Sequence, residues 1–302
     1  MLSKFLALSR STHGVLDIAM AGFAALLWLG AFPPLPVLAV ALVTALAGYT
    51  AIYALNDLVG VKADREKFAG TGINPGYSVE ASALRYPIAQ GKLSFSAGLA
   101  WFIVWYLVAL AGAWWLNPFL IVIVLAAPVL EIIYCRLLKV TWWRVLVSGF
   151  VKSLGPVAAV LAVVPRPDPA LLALMVAWLI CWEIGGQNIP ADWNDVEEDR
   201  RVGAKTIPLT FGPKVAARAV IVALVATLAL SLALPAMSPL PLGWPYLVAT
   251  LVAGIYLLLL PGLALARTHE PRNAARLFDR ASLYPMVQLV IVTAFVLVRA
   301  LK

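Results

Sequence analysis

The chain has 302 residues, 63% of them hydrophobic and 13% charged, with a mean hydropathy of +0.92 and a net charge of +8. An apolar share this far above that of soluble domains, with so little charge, excludes an ordinary globular or disordered protein and places the chain in a bilayer. The positive balance is spread over loops between apolar segments, so it reads as topology and attraction to membrane lipid, and no nucleic-acid partner is expected.

A hydrocarbon core about 30 Å thick takes roughly 20 apolar residues per helix. In chain order about nine segments reach that length, centred near residues 21, 47, 104, 128, 153, 179, 224, 255 and 290. The first runs from about Val15 to Phe32, without a small-residue cleavage site, and is expected to stay as an anchor. No alternating outward-apolar pattern marks a β-barrel. The predicted fold is therefore all-α: a polytopic membrane protein of about nine transmembrane helices in a single bundle, with residues 1–302 as one domain because no low-complexity linker divides them. Cys135 and Cys181 lack metal-type spacing and are expected as free thiols.

Basic residues between the segments alternate. Lys4 and Arg10 precede the first; Lys62, Arg65, Lys67, Arg85 and Lys92 follow the second; Arg136, Lys139 and Arg144 follow the fourth. Arg200, Arg201, Lys205, Lys214 and Arg218 follow the sixth, and Arg267, Arg272, Arg276 and Arg280 the eighth, whereas the opposite loops hold only Arg166. By the positive-inside rule the N-terminus and the charged loops face the cytoplasm, as in an inner (cytoplasmic) membrane protein, and Lys302 lies outside. The loop from about Phe68 to Lys92, with Gly70, Gly72, Pro75 and Gly76, is long enough to form a cytoplasmic cap over the membrane face.

Two cytoplasmic loops share one plan: an Asn at a helix end, spaced acids, then basic residues. They are NDLVGVKADREKFAG from Asn56 and NIPADWNDVEEDRRVGAKT from Asn188, giving acidic motifs at 56–64 and 188–199. On a helix Asp192, Asp195 and Asp199 fall within about 60° of one another, with Asn188 one turn deeper, while Glu197 and Glu198 point elsewhere and are expected to be solvated. Like charges at that spacing repel unless a cation neutralises them, and oxygen-only ligands suit a hard ion such as Mg2+. Asn56, Asp57 and Asp64 lie on one broad helical side and form the opposing wall. Tyr134, Arg136 and Lys139 leave the fourth helix at the same face and Lys205 follows the second acidic motif, cations that would hold a metal-bridged diphosphate. Lys152, mid-segment, needs an internal partner, for which Asp17, Glu131 and Glu183 are candidates, for it or for a polar acceptor.

This combination resembles the UbiA-type intramembrane prenyltransferase superfamily, whose members have nine helices and two aspartate-rich cytoplasmic motifs. The resemblance covers nearly the whole chain and is strongest at DWNDVEEDRRVGAKTIPLTFG, from Asp192 to Gly212. It implies Asp195 and Asp199 as the metal-binding pair with Asp192 in support. YCRLLKVTWW from Tyr134 is similar to the family's Tyr and Lys motif, implying diphosphate contacts from Lys139 and Arg136. YPIAQGKLS from Tyr86 is similar to an Arg-Pro-Leu-Pro-Ser-Gly segment, but Tyr86 takes the place of its Arg and Arg85 lies next to it. The family's first motif is Asn-Asp-x-x-Asp-x-x-x-Asp, and here Gly60 stands where the middle Asp belongs.

The resemblance implies Mg2+-dependent transfer of an isoprenoid chain from an allylic diphosphate donor to an aromatic or other lipid acceptor, with release of diphosphate. Asp64, Asp195, Asp199 and Lys139 would carry the ionisation. Asp57 and Asp192 would complete the metal ligands, and Asn56, Tyr134, Arg136, Arg85, Lys205 and Asn188 the diphosphate site. Two alternatives stay open: a family member with altered activity, such as a terpene cyclase or one with a degenerate first metal site, and an ion-coupled transporter. The last should place its ionisable residues near the midplane of several helices.

Overall fold

The computed structural model of the chain describes residues 2–69 and 84–301. Among the described residues a short helix, Leu2–Leu8, precedes nine helices long and apolar enough to span a bilayer: α1 (Ser11–Leu29), α2 (Leu35–Phe68), α3 (Phe95–Leu116), α4 (Leu120–Lys139), α5 (Arg144–Val163), α6 (Pro169–Asn194), α7 (Ile207–Met237), α8 (Gly243–Thr268) and α9 (Pro271–Ala300). No strand occurs among the described residues. These are the nine apolar runs of the sequence, since hydrocarbon leaves backbone N–H and C=O groups no partner except the helix itself. The predicted cap falls on Gly70, Gly72, Pro75 and Gly76, which lie outside the described residues, as does Lys302.

The bundle is packed unevenly. Met20, Phe23, Leu27, Trp178, Trp182, Tyr246 and Tyr284 fill a core between α1, α6, α8 and α9. Its polar atoms are satisfied internally: the Trp178 indole and the Tyr284 hydroxyl donate to Ser231 Oγ at 2.7 and 2.9 Å, and Trp182 donates to the Ala281 carbonyl at 2.9 Å. By contrast α3 and α4 carry outward apolar side chains such as Ile103, Val104, Leu107, Val122 and Leu125, a surface suited to lipid.

Two helices contain a π turn, each two residues before a proline. Ile189 N–H bonds back to Ile184 ahead of Pro190, and Leu260 N–H to Ile255 ahead of Pro261. Proline removes a donor and crowds the preceding turn, and one extra residue in that turn relieves the clash. In α6 the widened turn includes Gly185 and Gly186, which bring it against α7 and α9. A Cβ at 185 would stand 2.8 Å from Ala223 Cβ and 3.1 Å from two backbone atoms of α7, and one at 186 would stand 2.8 Å from Ala281 Cβ. Backbone cannot yield as a side chain does. Gly185→Val is therefore expected to cost about 1–3 kcal/mol of stability, read as a lower unfolding midpoint in detergent, and an unchanged midpoint would refute this packing.

Candidate active site

A cavity of about 930 Å³ runs between α1, α2, α4, α5 and α6, lined at one end by carboxylates and cations and along the rest mainly by apolar residues. Its lining extends from Arg10 to Pro33 beside α1, a path of roughly 30 Å along a helix. The polar end is where both acidic motifs meet.

Each aspartate of the second motif faces a cation from a different element. Asp192 Oδ1 accepts from Arg144 Nη2 of α5 at 2.7 Å, and Asp199 Oδ1 lies 2.6 Å from Lys67 Nζ of α2. Asp195 Oδ1 accepts from Arg85 Nη1 at 3.4 Å, in the segment before α3. The chain bends at Asp195 (φ −97, ψ 17) between α6 and a short helix, Val196–Arg201, and the π turn Glu183–Asn188 rotates what precedes it. Asp195 thus sits at a bend and not within one continuous regular helix, and all three aspartates line the cavity. No group of three or more His, Cys, Asp or Glu side chains gathers as for a metal ion among the described residues. Buried charge has to be paired, and here protein cations do the pairing.

In the first motif, Arg10 donates to Asn56 Oδ1 at 3.0 Å and lies 3.5 Å from buried Asp57, which is not part of the cavity wall. Asp64 does line the wall. Its Oδ2 lies 3.0 Å from where a Cβ at Gly60 would be, so it occupies the space left by the missing side chain.

Of the predicted diphosphate residues, Asn56, Tyr134, Arg136, Lys139 and Asn188 line the cavity. Asn188 Nδ2 donates to the Tyr134 hydroxyl at 3.0 Å, and the Arg144 guanidinium sits 4.5 Å over the Tyr134 ring. Lys139 Nζ donates to Glu66 at 2.6 Å in a half-exposed pair at the rim. Lys205 departs from expectation: its side chain is exposed and off the cavity wall, while its N–H donates to the Leu138 carbonyl at 2.7 Å, tying the loop after α6 to the end of α4. Glu198 is buried rather than solvated, whereas Glu197 is exposed and accepts from Arg200.

Tyr86 also lines the mouth. It adopts a left-handed φ of 56, and the Arg10 and Arg85 guanidiniums lie 5.6 and 5.3 Å from its ring centroid. Burial pushes its phenol up to about 12, so it stays a neutral hydroxyl at physiological pH.

Lys67, Arg144 and Arg10 were not singled out from the sequence because each also reads as a positive-inside residue. For Arg144 a signal exists. Arg144, Ser148 and Lys152 recur at i, i+4 and i+8 on a helix that is apolar but for these and Ser153, and all three line the cavity. Ser148 donates to Glu183 and Asn56 to Glu131, each at 2.5 Å. The partner of Lys152 is Asp17, at 2.6 Å.

Comparison with known proteins places this arrangement. The UbiA prenyltransferase family profile matches residues 17–284. A digeranylgeranylglyceryl phosphate synthase from Methanopyrus kandleri is 32% identical over 217 residues, which cover 68% of this chain and 76% of the relative. A UbiA homologue from Aeropyrum pernix, solved in its apo form, matches with a TM-score of 0.73 at 20% identity, covering 96% of this chain and 98% of its own. A UbiA homologue from Archaeoglobus fulgidus bound to DMAPP and Mg2+ matches with a TM-score of 0.67 at 17% identity, covering 96% and 99%.

Proposed function

The chain belongs to the UbiA prenyltransferase family and is an integral membrane prenyltransferase, and from that premise we propose that it transfers an isoprenoid chain from an allylic diphosphate to a lipid-soluble acceptor, with Mg2+. One observation carries this reading: a single cavity joins a mouth of carboxylates and cations to a long apolar barrel. The mouth suits a diphosphate and the barrel suits a prenyl tail.

The residues fit Mg2+ in kind. Asp64, Asp195 and Asp199 present only carboxylate oxygens to the mouth, the donor set of a hard cation that takes its remaining positions from phosphate and water. These three would hold the ion, while Arg85 and Lys67, which now neutralise Asp195 and Asp199, would turn to the diphosphate. Bound there, Mg2+ supplies neutralisation of the leaving group's charge. The protein's own part is to place cations from three elements, Lys67, Arg85 and Arg144, against the second acidic motif, with Tyr134 under Arg144 and Asn188 bonded to it, so that charge building on the bridging oxygen meets preset donors. The apolar wall deeper in keeps water from an allylic cation.

Basic residues at the same end of the cavity, among them Arg10, Lys62, Lys67, Arg136 and Lys139, support a mouth on the cytoplasmic side of an inner membrane. The relative from Methanopyrus kandleri and the diphosphate bound by the Archaeoglobus fulgidus homologue support the donor class. The test is incubation of the purified full chain with labelled dimethylallyl, geranyl and geranylgeranyl diphosphates, with Mg2+ or with EDTA. Diphosphate release with at least one donor, lost in EDTA, is expected. Release from none, or release indifferent to EDTA, would refute the proposal.

A further inference from the structure

Below the mouth, three polar side chains from three helices meet on the cavity wall. Lys152 Nζ donates to Asp17 Oδ2 and to the Tyr53 oxygen, both at 2.6 Å, and the Tyr53 hydroxyl donates to the same Asp17 oxygen at 2.5 Å. His13 Nε2 stands 3.3 Å from Lys152 Nζ and 3.6 Å from Asp17 Oδ1. Lys152 follows Arg144 by eight residues, about 12 Å deeper along α5, and Tyr53 lies about one turn below Asp57 on α2. No residue of the group belongs to either acidic motif. All four face the cavity, and the Lys152 side chain keeps 14% exposure where Asp17 keeps 2%.

A buried ion pair is weak support for stability, because desolvation offsets its attraction. An ionisable pair at membrane depth, open to a cavity, asks for a functional reading. We propose that Asp17, Tyr53 and Lys152 form the acceptor subsite, which docks a hydroxyl group and takes the proton that prenylation releases. This rests on the prenyl-transfer reading above and narrows its acceptor to an alcohol or phenol whose oxygen is the nucleophile.

The chemistry balances within the cavity. The allylic carbon–oxygen bond breaks and its electron pair leaves with the diphosphate at the mouth. The acceptor oxygen, held by a donor from Lys152 and by the Tyr53 hydroxyl once it turns from Asp17, forms a new carbon–oxygen bond, and its proton passes to the Asp17 carboxylate. An alkylated hydroxyl is a strong acid, so even a carboxylate neutralised by Lys152 can accept that proton. The same pairing blunts Asp17 as a competing nucleophile. Apolar walls leave no bulk water for the task, so the base has to be built in.

The experiment uses the full chain in detergent with labelled geranylgeranyl diphosphate and Mg2+, and two acceptor probes: geranylgeranylglyceryl phosphate for the alcohol and 4-hydroxybenzoate for the phenol. An ether product with one of them is expected, and the probe accepted identifies the source of the hydroxyl. Asp17→Asn should lower kcat by about 100-fold or more while affinity for geranylgeranyl thiolodiphosphate, measured by titration, stays within about twofold. Tyr53→Phe should raise the acceptor KM about tenfold, as loss of one buried hydrogen bond does. Four results would overturn the subsite: an unchanged kcat in Asp17→Asn, donor affinity falling in step with kcat, alkylation at ring carbon, or diphosphate release with no ether from either probe. If Asp17→Asn does not fold, Tyr53→Phe decides alone, and an unchanged acceptor KM overturns the assignment. Failure of the wild type to release diphosphate from any donor would instead refute the underlying reading.

Discussion

Asp199→Ala is expected to abolish transfer and to destabilise the protein, and adding Lys67→Met is expected to restore the stability without the transfer. Asp199 is 1% exposed and Lys67 8%, and their charges are 2.6 Å apart. Removing one member of a buried pair strands the other charge, at about 3–5 kcal/mol, whereas replacing the whole pair with apolar groups is often neutral or better. A loss of activity caused only by unfolding would therefore be reversed in the double variant, up to the rate of Lys67→Met alone, because Lys67 itself faces the diphosphate. A loss caused by a missing charge at the reacting diphosphate would persist, at about 100- to 1,000-fold or more for one preset electrostatic group. Melting in detergent, paired with the initial rate on the best donor, separates the two. Recovery of transfer in Asp199→Ala, Lys67→Met would remove Asp199 from the diphosphate machinery and leave it a structural anion. The same comparison for Asp192 and Arg144 would show how far that pair, farther back toward α5, shares the work.

The bilayer made the helices legible. Because every spanning segment must close its own backbone hydrogen bonds, an apolar run of spanning length has one outcome, and the nine runs became α1 to α9. The site was legible only in part. Asp64, Asp195 and Asp199 were visible as acids beside helix ends, and they do line one mouth. Their mutual geometry was not, because a regular helix from Asp192 to Asp199 leaves out the bend at Asp195. Gly185, Gly186 and Pro190 admit a π turn farther back, which turns the face of what precedes Ile189. The pairings were beyond reach for a further reason. Lys67 and Arg144 satisfy the positive-inside pattern wherever they point, so only tertiary packing distinguishes a cation buried against Asp199 or Asp192 from one lying in the headgroups. Lys205 is the converse: it sits beside the motif in sequence, but the turn after Val202 carries its side chain out to solvent. The polar stripe of Arg144, Ser148 and Lys152 was readable throughout. It needed the helical period applied to rare polar residues in an apolar segment, the reverse of the usual search for apolar ones.

Ala159→Phe is expected to confine the protein to short-tail donors. Ala159 lines the cavity on α5, 15 residues beyond Arg144, or about 22 Å from the mouth along the helix. The new ring would point into open space rather than into packed neighbours, so the fold should tolerate it and the unfolding midpoint should hold or rise slightly. A dimethylallyl or geranyl tail ends well before that depth, whereas the terminal isoprene unit of an extended geranylgeranyl tail comes up against the new ring. Each methylene kept from burial forfeits about 0.8 kcal/mol, so displacing only two loses roughly 1.6 kcal/mol, more than a factor of ten in kcat/KM. The measurement is kcat/KM on the three donors at fixed acceptor, with geranylgeranyl diphosphate expected to fall by about tenfold or more and dimethylallyl diphosphate to change by less than about twofold. An equal loss on all three would mean that the ring disturbs the mouth. No loss on the longest would mean that the tail takes a different path, and the cavity along α1 and α5 would then belong to the acceptor.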